Sequence, residues 1–190
     1  MKDKIQYLKD VYKYYETDNS YHVVIDLDTY RDIYSEWDYS PFNNRELDGS
    51  LLRYIMECSN EIGLKKNMAL DFYVPENIVS DEKEQKSIEG FRRYFNYQIR
   101  KIKSEMMDSL KKLFILVIVG TGLLAAGNII NAAIPDRIAA EIVSEGLVIG
   151  AWVAVWEIFH TLFFSVSDIF IKLKHYERLR RIPITYRIKK

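Results

Sequence analysis

The side chains best placed to do chemistry in this 190-residue chain are Glu157, His160 and Thr161, which interrupt an otherwise apolar stretch. Glu157 and His160 stand three positions apart, so on a helix they share one face. An ionised carboxylate at the centre of a bilayer costs at least about 2.5–3.5 kcal/mol, so Glu157 must be neutral, paired or in contact with water. Three readings follow. A Glu–His hydrogen bond would fix the register of packed helices. Several copies could instead line a polar path for ions or protons. A metal site could be built from Glu-x-x-His on four helices, of which one such pair is only a weak signal. Elsewhere His22 and His175 are isolated, and there is neither a nucleophile elbow nor a glycine-rich phosphate loop after a strand. The expectation is a protein that is not an enzyme, with no cofactor and no metal.

The elements that would hold these residues are two apolar segments. From Leu113 to Pro135 no residue is charged, and the stretch 146–171 contains only Glu157 and Asp168. About 20 apolar residues suffice to cross a bilayer as a helix. The rest of the chain carries too little apolar material to cover two such helices. Spans at about 113–135 and 146–171 are therefore predicted to form a transmembrane hairpin, with a loop around 135–145.

Projected at 100° per residue, the second span places Gly146, Gly150, Glu157, His160 and Thr161 on one side and Trp152, Trp156, Phe159 and Phe163 on the other. Small residues permit close helix approach. Gly146 and Gly150 are expected to pack against a first-span face carrying Gly120, Gly127, Asn128 and Asn131.

Charge sets the orientation. Residues 1–90 carry 11 basic and 19 acidic side chains, residues 91–112 carry 7 and 2, and residues 172–190 carry 8 and 1, within a total formal charge of zero. Two basic collars flank the apolar hairpin, so the positive-inside rule puts both termini in the cytoplasm of a cell bounded by an inner (plasma) membrane. The collars explain the basic residues without nucleic acid. Lipid and further copies of the chain are the expected partners, along with an unidentified cytoplasmic protein or small ligand. Cys58 is the single cysteine, so no internal disulfide forms.

The cytoplasmic residues read as a small α/β domain over 1–79. Tyr21, Val23, Ile25 and Leu27 alternate as a strand, as do Met68, Leu70, Phe72 and Val74. Between them Asp48 caps a helix in which Leu51, Ile55, Cys58 and Ile62 form one face and which ends at Gly63. Strand, helix, strand predicts a parallel βαβ unit. Residues 4–15 are expected to be a short helix. A third strand is expected at 182–188 within the basic tail 172–190. The loop 36–48, with Ser40, Phe42, Arg45 and Asp48, is the candidate recognition surface. The neighbouring acids Asp26, Asp28, Asp32, Glu36 and Asp38 fit either a cation site or a solvated loop.

From 80 to 112 an apolar stripe through Ile88, Phe91, Phe95, Ile99, Ile102, Met106 and Leu110 has a mean period of about 3.6. It predicts one linking helix that runs on into the first span, facing either the domain's own sheet or a copy of itself.

Ser40-Pro41-Phe42 with Arg45 and Leu47, Glu145-Gly146-Leu147, and Trp152-Val153-Ala154-Val155-Trp156 together resemble a family of small prokaryotic membrane proteins. The resemblance covers residues 38–188 and implies a cytoplasmic α/β part with a two-helix membrane hairpin. Where that family commonly has a basic residue followed by proline, this chain has Glu157 and Ile158. The family carries no assigned activity. The expectation is thus an α+β membrane protein that self-associates. It would act either as a channel or membrane effector with a cytoplasmic regulatory domain, or as a membrane-anchored binding scaffold without transport.

Overall fold

The computed structural model describes residues 2–41, 45–134 and 137–189. They divide into two units, one formed by 1–100 with 173–190 and the other by 101–172.

The first unit is built on a four-stranded sheet in the order β1 (Lys13–Tyr15), β2 (Ser20–Asp26), β3 (Asn67–Val74) and β4 (Ile184–Ile188). β1 and β2 are antiparallel, whereas β2–β3 and β3–β4 are parallel. The predicted βαβ unit is present, and the end of the chain supplies the strand beside β3. α1 (Lys2–Val11) is shorter than the expected helix over 4–15, because the chain turns at Tyr12 and pairs residues 13–15 with 20–22. Asn19 closes that hairpin at φ 50°, a left-handed conformation that Asn tolerates.

α2 (Gly49–Ile62) forms where its caps predict. The Asp48 carboxylate accepts from the amides of Ser50 and Leu51, and Gly63 ends the helix at φ 79°. Ile55, Cys58 and Ile62 are buried beneath it.

α3 (Asp81–Ala133) is one continuous helix of 53 residues. Its first twenty residues belong to the sheet unit, so the division at 79 moves. Phe91, Phe95 and Ile99 are buried there, and the Phe95 ring meets Tyr176 edge-on. Up to Ile99 the apolar stripe thus faces the domain's own core. Beyond Ile102 it emerges, and Leu110 is exposed.

The second unit is an apolar helical hairpin. α4 (Arg137–His160) passes through a π-helical segment (Thr161–Val166) into α5 (Ser167–Arg181). The expected loop over 135–145 is therefore much shorter, since Ile138–Glu145 is rich in Ala, Ile, Val and Glu and continues the helix. Pro135 and Asp136 lie outside the described residues. Two helices, Asp81–Ala133 and Ile138–Arg181, are long and apolar enough to cross a membrane, and their most apolar windows are only 11% and 17% buried.

Candidate functional site

In the hairpin, helices approach through small residues. A Cβ on Gly120 would stand 3.4 Å from that of Ala154, one on Gly127 would meet Ser144 and Leu147, and one on Gly150 would lie 3.3 Å from Leu123. Ala140, Ala151, Ala154 and Thr161 are buried. Spaced 11, 3 and 7 apart, they follow a heptad-like seam. Gly146 meets nothing within 4 Å and takes no part in that seam, unlike the expected Gly146–Gly150 pair. The reason is phase: the packed face is rotated about a third of a turn from the face through Gly146, Val153 and His160.

Glu157 finds a partner that inspection of its own helix does not show. Lys112 Nζ donates to Glu157 Oε1 at 2.7 Å, whereas His160 Nδ1 is 4.0 Å from the other oxygen. The sequence holds the signal in its spacing. Lys112 stands 23 positions before Pro135 and Glu157 stands 22 after it. In an antiparallel hairpin with a tight turn, such residues are level. Glu157 thus sits beside the charged end of the apolar segment of α3, not at its middle. His160 is exposed, with its ring against Phe164. Asn128 donates its side-chain amide to Leu124 O in its own helix, and Asn131 is exposed. Among these polar positions only Thr161 lies in the packed seam.

The sheet unit contains a polar cluster that reading the strand by alternation overlooks. Asp71, on β3, is fully buried. His22 Nδ1 lies 3.0 Å and Arg187 Nε 3.1 Å from the same Asp71 oxygen. His22 Nε2 in turn lies 3.1 Å from Asp18, and Tyr15 packs edge-on against the His22 ring. The parallel registers explain the meeting, because β2 and β4 flank β3 and residues 22, 71 and 187 share one pleat face. His22 is therefore held between two carboxylates. His175 is also engaged: its Nδ1 is 2.9 Å from Ser59 Oγ, and burial lowers its pKa.

The candidate recognition loop is organised by Asp38. Its carboxylate accepts from the amides of Ser40 and Glu46 at 2.9 and 2.8 Å, and the Ser40 and Glu46 contacts hold its pKa below the ordinary value. Arg45 Nε donates to Ser40 O at 2.8 Å. Asp48 serves as the α2 cap, held ionised chiefly by Ser50. Phe42 lies outside the described residues. Asp38, Arg45 and Glu46 and the α3 residues Gly90, Arg93, Tyr94, Tyr97 and Arg100 line an open pocket of about 380 Å³. Burial pushes the Tyr94 hydroxyl up to about 12, so it stays protonated and able to donate.

The acids near 26–38 are divided among local tasks. Asp32 caps a short 3-10 turn through Thr29, and Asp26 and Asp28 face Lys189. Among the described residues no three His, Cys, Asp or Glu side chains group as metal ligands. No protein-family model matches this chain, and neither curated proteins nor solved structures give a significant match.

Proposed function

We propose that this chain is a multi-pass protein of the inner (plasma) membrane whose hairpin anchors a cytoplasmic α/β binding module. The observation that carries this reading is the near-complete exposure of two long apolar helices, flanked by basic residues on the side of both termini. Such an exterior is costly in water and favourable in lipid. Within the hairpin the seam is closed by Gly120, Gly127, Ala151 and Ala154, and Glu157 is neutralised by Lys112. Those features suit an anchor better than a conduit.

Topology is tested with single cysteines placed at Glu141 and Lys174 in a Cys58→Ala background. A membrane-impermeant maleimide should label position 141 from outside sealed cells and position 174 only after lysis. Labelling of both from outside overturns the orientation. Release of the protein by alkaline carbonate overturns the membrane assignment.

One observation favours a second reading, a homo-oligomeric channel or membrane effector. Glu157 and His160 lie beside the packed seam with His160 exposed, where further copies could meet them. Ion flux into liposomes that Glu157→Gln abolishes would establish that reading. No flux in either form leaves the anchor.

A further inference from the structure

A crevice of about 500 Å³ opens beyond the carboxyl ends of β2 and β3, between the turn that follows β2 and the start of α3. Thr29, Tyr30, Arg31, Ile78, Lys83 and Lys86 line it, and all six belong to the sheet unit. We propose that it binds a small organic anion, a carboxylate or phosphate on an apolar body. Arg31, Lys83 and Lys86 take the charged group, and Tyr30 and Ile78 meet the body. This rests on the reading of the sheet unit as a binding module and names its ligand class.

Four observations converge. The first is charge. Residues 1–90 carry 19 acidic against 11 basic side chains, yet the residues lining this crevice include three of the basic ones and no acid. Among the described residues the Arg31 and Lys83 side chains make no hydrogen bond or ion pair, and Lys86 makes an exposed pair with Glu82 that solvent screens. The neighbouring acids are engaged: both Asp32 oxygens accept from residues 28 and 29, and Glu84 accepts from Tyr30.

Second, the walls are fixed without a ligand. Thr29 and Asp32 form a capping box over the 3-10 turn Tyr30–Ile33. Buried Tyr30 ties that turn to α3, because its hydroxyl accepts from the Ser80 amide at 3.2 Å and donates to Glu84 Oε1 at 3.1 Å. A site already ordered loses less freedom on binding. Third, Lys83 and Lys86 stand three positions apart and share one face of the first turns of α3. The helix dipole adds positive potential there. Fourth, open α/β sheets place ligands outside the carboxyl ends of their parallel strands, and the volume suits a small molecule.

The test titrates the full chain calorimetrically in neutral maltoside micelles with phenyl phosphate, benzoate, inorganic phosphate and benzyl alcohol. At least one of the two aromatic anions should bind, and the uncharged alcohol should not. Arg31→Gln/Lys83→Gln should weaken that binding by about tenfold or more, as loss of charge-assisted bonds requires. Arg53→Gln/Lys65→Gln removes the same charge from exposed positions outside the crevice and should change binding by less than about twofold. Ile78→Ser should weaken binding of the aromatic anion by about threefold or more and leave inorganic phosphate within about twofold. Lys86→Gln provides an independent variant if another fails to fold.

Tighter binding of phenyl phosphate assigns a phosphate ligand, and tighter binding of benzoate assigns a carboxylate. Binding of neither anion, equal binding of benzyl alcohol, or equal losses in the two double variants overturns the proposal. Inorganic phosphate held as tightly as phenyl phosphate also overturns it, since the apolar floor would then do nothing. Because binding is read in detergent, its failure is separate from failure of the topology experiment.

Discussion

The two units of this chain solve the packing problem in opposite ways. In the sheet unit Phe72, Phe91 and Phe95 are buried and lysines and glutamates are exposed. In the hairpin Trp152, Trp156, Phe159 and Phe163 are exposed, while the buried positions are Gly120, Gly127, Ala151, Ala154 and Thr161. Water rewards the first arrangement, because apolar area removed from it drives folding. The second has no such drive between its helices if they lie in lipid, so close approach of small residues must hold them. Large aromatic residues thus carry stability in one unit, and their absence from the interface carries it in the other.

One residue type breaks that comparison most sharply. Phe95→Ala should destabilise the sheet unit by about 3–5 kcal/mol, read as faster amide hydrogen exchange in β3 and α5. Phe163→Ala, whose ring is exposed, should leave exchange in both units nearly unchanged. Equal effects would show that the hairpin's aromatics are core residues of an assembly and not a lipid-facing surface.

The charged pairs repeat the contrast. Asp71 is fully buried between His22 and Arg187, and removing one member of a buried pair costs about 3–5 kcal/mol. Asp71→Ala should approach that loss in denaturant unfolding. It should also free β4, since Arg187 holds the terminal strand to the centre of the sheet. A loss below about 1 kcal/mol would mean that water reaches the site.

Asp71 also shows what the sequence could and could not disclose. Alternation correctly located β2, β3 and the terminal strand, and Asp48 with Gly63 bounded α2, because those signals are local. Alternation sets Asp71 on the face opposite Met68, Leu70, Phe72 and Val74 and by itself does not disclose that Asp71 is buried. Its burial depends on His22 and Arg187, which lie 49 and 116 positions away and meet it only through the parallel registers. Lys112 and Glu157 were each visible, but pairing them required knowing that the turn is short. β1 was hidden because Leu8, Tyr12 and Tyr15 keep a helical spacing past the point where the chain turns.

In the hairpin the small residues are the sensitive ones. Gly120→Leu must force apart a contact already at van der Waals distance from Ala154, at a cost of about 1–3 kcal/mol by overpacking. Gly146→Leu enters open space and should be tolerated. Disulfide trapping between cysteines placed at 123 and 150 should slow in the first variant and not in the second. The reverse order would put the seam on the face through Gly146.

His175 gives a smaller effect that belongs to the sheet unit alone. Burial, followed by the nearby Arg178 charge, depresses its pKa below the ordinary value of 6.5. A group depressed on folding contributes its full stability above the unfolded value. That contribution declines as pH falls from about 6.5 through the folded pKa, because the unfolded chain takes up the proton first. Acid should therefore weaken the α2–α5 contact at Ser59. His175→Gln should flatten this part of the stability profile while leaving the hairpin's pH response unaltered. An unchanged slope would assign the acid sensitivity to groups other than His175.

The smallest effect is expected at Lys112 and Glu157, and its size distinguishes anchor from conduit. The pair is partly exposed and stands at the end of the apolar segment of α3, where solvent and salt screen it. Lys112→Met should therefore alter hairpin stability less than Gly120→Leu, and high salt should erase the difference from wild type. A position deep in the bilayer would behave otherwise, since an acid stripped of its partner there is strongly penalised. A large, salt-insensitive loss in Lys112→Met, rescued by Glu157→Gln, would place the pair in a dry interior and revive the polar-path reading. A small, screened loss would leave Glu157 as a solvent-screened tie between the two helices and favour the proposed anchor over a conduit.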